Sequence, residues 1–204
     1  MARTADNYFD LAIVDPPYGI TQCAISKKVG MGAGKLKNRI LNKNAVKFDS
    51  WDNAPNEIYF NELFRISKNQ IIWGGNYFKL GPCRCFIAWD KVQPWENFSQ
   101  VEFAWTSFDK PSKLFRFDNR TGDKIHPTQK PVNLYNWILK NFSKPGDKII
   151  DTHLGSGSIA IACHYFGLHL TACEIDLSYF KDAVNRIKTE TLQKKLFEYE
   201  STPL

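Results

Sequence analysis

The stretch "KIIDTHLGSGSIAIACHYFGLHLTACEID", Lys148 to Asp176, decides how the chain folds. A short apolar strand, Lys148–Asp151, runs through Gly155-Ser156-Gly157 into a helix expected over Ser158–Phe166, which Gly167 stops. A second strand, read over Leu168–Glu174, closes the unit. Short Gly-x-Gly strings are common, so the weight lies in their setting between a strand and a helix N-terminus, where a ligand can press against backbone amides. Glu174 ends the second strand twenty-three residues after Asp151, placed to accept hydrogen bonds from ribose hydroxyls. Strand, turn, helix, strand and acid together predict a nucleoside site. The third glycine of the dinucleotide fingerprint is missing. S-adenosyl-L-methionine, small, cationic at sulfur and free of phosphates, fits better.

Outward from this unit, short apolar runs alternate with helical patterns, the signature of an α/β sheet. Further strands are read at Phe9–Val14, Gln70–Trp73, Cys85–Trp89 and Val101–Thr106. Helices are expected near Asn56–Ile66, with Pro55 at its start, and over Val132–Phe142 and Ser178–Thr189. Two stretches read as irregular. Thr21–Lys47 carries seven basic residues and no acidic one. Its "GMGAGKL", Gly30–Leu36, has three residues between Gly30 and Gly34, no Ser or Thr after Lys35 and no preceding strand, so it is not a phosphate loop. Phe108–Ile125 is again rich in basic and aromatic residues.

The first strand ends in Asp15-Pro16-Pro17-Tyr18. Proline ends a ladder because it lacks an N–H, but an ordinary turn needs neither the carboxylate nor the ring.

A chain of 204 residues with 43% hydrophobic content can bury one core, and a single domain over 1–204 is expected. Six Trp, eight Tyr and fifteen Phe suit stacking on flat ligands. The net charge of +6 favours polyanions. No apolar run approaches a membrane span, and the N-terminus shows no leader pattern. Five scattered cysteines fit free thiols in a reducing cytoplasm, and Cys83-x-Cys85 with Cys163-His164 is not a zinc spacing, so no metal is expected.

Strand-DPPY, followed much later by strand-DTHLGSGS-helix-strand-CEID, resembles the DNA amino-methyltransferases, which methylate exocyclic amines of adenine or cytosine. The catalytic-type motif comes first and the cofactor loop late, similar to the permuted order of the family's beta class. "HPTQKP", His126–Pro131, and "NQIIWGGNYF", Asn69–Phe78, extend the likeness over roughly residues 9–190. The resemblance implies a Rossmann-like methyltransferase fold, a mostly parallel twisted sheet of seven-stranded type with helices on both faces. It implies that Asp15 and the Pro16 carbonyl accept hydrogen bonds from the target amine, Pro17 fixes that carbonyl, and Tyr18 stacks on a base flipped from the duplex. Asp15, Asp151, Gly155, Ser156, Gly157 and Ser158 would line the cofactor, with Glu174 on its ribose. Thr128 and Lys130 would close the site, Lys130 near the cofactor's carboxylate. His126 orders its loop, and His153 packs where the family often has an aromatic residue. Asp176 either helps hold adenine or caps the following helix.

Phosphate contacts are expected from Lys27, Lys28, Lys35, Lys37 and Arg39 in a mobile basic insertion near 21–50. Lys113, Arg116 and Arg120 belong to a short target-recognition region near 108–125. Double-stranded DNA is the expected partner; a homodimer and a cognate restriction enzyme are partners the resemblance allows. Two departures stand out. Only about eight residues precede Phe9, so one edge of the cofactor pocket is absent or supplied by the tail "KKLFEYES", and the recognition region is short.

Asp15 ahead of the prolines, rather than Ser, tilts the reading toward adenine N6; cytosine N4 stays open. A cytosine-C5 reading from Pro82-Cys83 fails because the strand tip holds Asp15. Protein glutamine methylation uses a similar motif with the cofactor loop first, the reverse of this order. A nucleic-acid-binding relative without turnover would not need both Asp15 and the cofactor loop.

Overall fold

A computed structural model describes residues 1–20, 52–94, 99–118 and 129–192. Strand β1, Phe9–Val14, has every residue from Leu11 to Val14 buried, as a strand covered on both faces requires. Helix α1, Glu57–Ile66, follows, with Asn56 as its N-cap accepting from the Tyr59 amide at 3.1 Å. The chain turns straight into β2, Ser67–Trp73, and a short 3-10 turn, Gly75–Tyr77. Then come β3, Phe86–Asp90, β4, Val101–Thr106, and β5, Lys113–Arg116. The last third holds α2, Val132–Phe142, β6, Lys148–Asp151, α3, Ser158–Phe166, β7, His169–Ala172, and α4, Leu177–Leu192.

Among the described residues, the strands form one seven-stranded sheet in the order β5-β3-β4-β2-β1-β6-β7. All pairs are parallel except those of β4, which runs against both β2 and β3. Leu11, Ile13, Ile71, Trp73 and Ile87 face one core with Leu134, Ile138, Ile159 and Ala162 from α2 and α3. Ala12, Val14 and Ile72 face the other, with Phe60, Leu63 and Ile66 from α1. Each such fully buried aliphatic side chain contributes roughly 1.5–3 kcal/mol relative to exposure. Among the described residues, the helix after β1, α1, covers one face, and the helix after the adjacent β6, α3, covers the other. The sheet therefore opens a crevice at the carboxyl ends of β1 and β6, where open α/β sheets take ligands.

Strands β1, β4 and β6 and helices α2 and α3 lie at the bounds expected from the sequence. Other bounds shift: β2 starts at Ser67, and β7 covers His169–Ala172, so Glu174 lies beyond its strand rather than at its end. One stretch changes class. The stretch read as irregular, 108–125, contains β5, which pairs parallel with β3 from Ile87↔Lys113 to Asp90↔Arg116. Four residues preceded by Pro111 and Ser112 carry too little alternation to read as a strand, and it is the exposed edge of β3 that orders them. The basic stretch 21–51, with Lys27, Lys28, Lys35, Lys37 and Arg39, lies outside the described residues, as do Arg120, His126, Thr128 and the tail.

Candidate active site

Several acids stand at the carboxyl ends of the parallel strands. β1 runs into Asp15, β6 ends at Asp151, and the chain beyond β7 carries Glu174 and Asp176. One more comes from the antiparallel strand: Glu102, near the start of β4, stands at this same edge because β4 runs the other way, paired with Trp89 near the end of β3.

Both carboxylate oxygens of Asp15 are engaged. The Tyr18 hydroxyl donates to Oδ1 at 2.8 Å, and the Lys130 ammonium donates to Oδ2. Pro16 is buried beside them and Pro17 half-buried. The Tyr18 ring stacks on Tyr77 with centroids 5.0 Å apart and planes 19° apart. Its phenol is held well above its ordinary pKa by burial and by the nearby charges of Asp15 and Glu102, so it stays a donor. Downstream, the Gly19 amide donates to Asp52 Oδ1 at 2.9 Å, which ties down the exit of the turn.

Lys130 is 4% exposed. Its ammonium also reaches Glu102 Oε2 at 3.2 Å and lies 5.0 Å from the Trp73 ring centroid. Glu102 Oε1 pairs with Lys91 at 2.7 Å. A buried charge needs such partners.

The glycine loop is fixed from three sides. Glu174 Oε2 accepts from the Gly155 amide at 2.8 Å, while its Oε1 accepts from the Asp176 amide at 2.9 Å. Gly157 is the left-handed N-cap of α3, with φ +76°, and a Cβ there would come within 2.9 Å of Ile187. From α4, Arg186 donates to the Ser156 carbonyl at 3.0 Å and to Ser158 Oγ at 2.9 Å. Ser156 and Ser158 are themselves 3.2 Å apart through their hydroxyls. Asp176 accepts from the Ser178 and Tyr179 amides at 2.8 and 3.1 Å, so of its two expected roles the helix cap is the one seen here.

Asp151 accepts from the His153 amide at 2.9 Å, yet burial pushes its carboxyl up to about 7, with Asp15 and Glu174 adding to the rise. Burial lowers the His153 pKa, and the charges of Asp15 and Glu174 oppose that without overcoming it. The His153 ring packs edge-on against Tyr59 of α1, whose hydroxyl is 2.7 Å from Thr152 Oγ1, itself 2.9 Å from His153 Nδ1. The two halves of the sequence pattern thus act on one another electrostatically.

These residues suit a nucleoside with a cationic arm. Glu174 keeps lone pairs for ribose hydroxyls beyond the two amides it accepts. Ile175 beside it is 97% exposed, an apolar surface for a flat ring. Asp151 offers an anion whose desolvation a cation would relieve. Lys113 and Arg116 sit on β5; Arg116 is exposed and pairs with Asp90 Oδ2 at 3.2 Å, so the expected DNA contacts lie along the sheet edge.

Sequence reasoning missed Glu102, Lys91, Arg186 and Tyr59. Signals existed for two: Glu102 alternates with Ala104 and Thr106 on the inward face of β4, and Arg186 sits within the apolar stripe Ala183, Val184, Ile187.

Residues 72–185 match the DNA methylase family of N6/N4 type. Type II methyltransferase M2.MboI of Moraxella bovis is 27% identical over 95% of this chain and 88% of its own length. Among solved structures, the M1.HpyAVI–SAM complex is 19% identical with a TM-score of 0.53, covering 89% of each chain. The cytosine-N4-specific PvuII DNA methyltransferase is 12% identical with a TM-score of 0.55, covering 94% of this chain and 87% of that one. At these identities the two structures speak for the shared fold.

Proposed function

The chain belongs to the N6/N4 DNA methylase family, whose cofactor is S-adenosyl-L-methionine, and on that premise we propose that it methylates the exocyclic N6 of an adenine flipped out of duplex DNA. The observation that carries the reading is the Asp15-Pro16-Pro17-Tyr18 turn standing beside the Asp151 glycine loop at one sheet edge. An aromatic amine is a poor nucleophile because its lone pair is delocalised into the ring. Asp15 and the Pro16 carbonyl accept its two hydrogens, favouring a tetrahedral nitrogen and stabilising the positive charge that develops there. A carboxylate has about four acceptor positions, so Asp15 keeps capacity beyond Tyr18 and Lys130.

The cofactor supplies an electrophilic methyl on a sulfonium. Asp151 and the Gly155–Ser158 turn hold its methionine end, and Glu174 its ribose, so orientation is the main catalytic tool. Tyr18 replaces stacking that the base loses on leaving the helix. Basic side chains, Lys113 and Arg116 among them, meet phosphates.

In this family Asp rather than Ser ahead of the two prolines favours adenine. Cytosine N4 is the second reading, supported by the fold shared with a cytosine-N4 enzyme. The test is transfer of labelled methyl to unmethylated duplex DNA, followed by digestion to nucleosides, with Asp15→Ala in parallel. N6-methyladenine that disappears in the variant supports the proposal. N4-methylcytosine keeps the mechanism and changes the base, and no transfer with the cofactor bound refutes a DNA substrate.

A further inference from the structure

The amine grip needs its carboxylate held in one orientation, within about 10–20° of the productive geometry. Asp15 lies beyond the last ladder bond of β1, so side-chain partners must supply that rigidity. Tyr18 holds Oδ1 and Lys130 holds Oδ2. Lys130 is an ammonium on a flexible four-carbon stem, and it needs an anchor of its own. Glu102 provides one, with Oε2 at 3.2 Å from the ammonium and Oε1 at 2.7 Å from Lys91.

We propose that Glu102 is a positioning residue for the transfer, holding Asp15 in its productive orientation through Lys130. The inference rests on Asp15 being the amine acceptor. The four groups alternate in sign, Asp15, Lys130, Glu102, Lys91, and come from four separate parts of the chain: the exits of β1 and β3, the β4 strand, and the segment before α2. Burial opposes the Lys130 ammonium, yet Asp15 and Glu102 outweigh it and keep the group above its ordinary pKa. Burial likewise opposes the Glu102 carboxylate, and Lys130 with Lys91 holds it below its ordinary value. The surroundings of the ammonium are completed by the Trp73 face from β2, with the Tyr18 hydroxyl on the opposite oxygen of Asp15. Among the described residues, Asp151 at the end of β6, Tyr135 of α2 and His153 also feel this cluster. Neutralising Glu102 leaves Lys130, among the described residues, with Asp15 as its one ion-pair partner, so the ammonium gives up its proton at lower pH. Asp15 then loses the donor that fixes Oδ2.

The experiment is single-turnover methyl transfer to duplex DNA from neutral to alkaline pH, by the wild type, Glu102→Gln and Glu102→Asp, with cofactor affinity and melting temperature measured alongside. Glu102→Gln is expected to slow transfer by about ten- to a hundred-fold, the scale of a misplaced reacting group. Cofactor affinity should stay at the wild-type value, and the alkaline fall of the rate should move to lower pH. Glu102→Asp keeps the charge one methylene short: it should return that fall to the wild-type position with only part of the rate. A wild-type rate and pH profile in Glu102→Gln overturns the proposal, as does a rate loss matched by equal loss of cofactor binding and melting temperature. Should Glu102→Gln not fold, a wild-type rate in Glu102→Asp overturns it. No transfer by the wild type instead overturns the methyl-transfer reading, before Glu102 is at issue.

Discussion

The Tyr18 ring lies against the backbone of Gly74 so closely that a Cβ at Gly74 would stand 2.2 Å from Tyr18 Cε1. Gly74 has φ +67° and precedes the 3-10 turn that carries Tyr77, the ring stacked on Tyr18. The glycine therefore sets the height of the aromatic floor beside Asp15.

Gly74→Ala is expected to displace Tyr18 and cost about 1–3 kcal/mol, the scale of overpacking in a filled site. Methyl transfer should fall more steeply than stability does, because the ring both stacks and holds Oδ1. Denaturant melts beside transfer rates check this; a stable variant with the wild-type rate would contradict it.

Lys130→Met leaves Asp15 and Glu102 facing each other without the cation between them. Removing one partner of a buried ion pair costs roughly 3–5 kcal/mol. The expected result is a much lower melting midpoint and loss of transfer. Lys130→Met with Glu102→Gln together should recover part of the stability and none of the rate.

Burial raises Asp151 from an ordinary value near 3.8 to about 7. Between these values the unfolded chain has released a proton that the folded chain keeps. Stability therefore falls as pH rises through this window and levels off above it. Asp151→Asn removes that slope, so its melting advantage over the wild type should grow across the window and then stay constant. If Asp151 faces the cationic arm of S-adenosyl-L-methionine, binding should tighten as pH rises through about 7 and release a proton. Calorimetry in buffers of different ionisation enthalpy reads that proton directly, and pH-independent affinity would count against the contact.

Lys113→Ala with Arg116→Ala tests the sheet-edge DNA contact. Each lost phosphate contact should reduce the slope of log affinity against log salt by about 0.9. S-adenosyl-L-methionine affinity should not change. An unaltered salt slope would place the DNA elsewhere.

Much of this arrangement was legible because it follows from local chemistry. The apolar run of β1 and the helix stopped by Gly167 fall where their residues dictate, as do the glycine turn and the acid after β7. The ion-pair chain was not legible, since Asp15, Glu102 and Lys130 are far apart in sequence and Glu102 reaches this edge only because β4 runs antiparallel. For Arg186 the difficulty was different. Its stem belongs to the apolar face of α4, and only tertiary packing shows that its guanidinium ends on the Ser156–Ser158 turn. Strand β5 exists by pairing with β3, which no four-residue window reports.

The pairing of β1 with β6, Leu11↔Ile149 and Ala12↔Ile150, joins positions 138 residues apart. During synthesis β1 emerges early, pairs with β2 once a further 58 residues have followed, and keeps its other edge bare until β6 arrives. Contacts of such separation slow folding, and a bare apolar edge invites association with other chains. A nascent chain halted before Lys148 holds the amine grip without its cofactor half and should be prone to aggregation. The order of motifs along the gene thus sets a waiting period in biogenesis, during which one half of the active site is made and the apolar β6-facing edge of β1 is open.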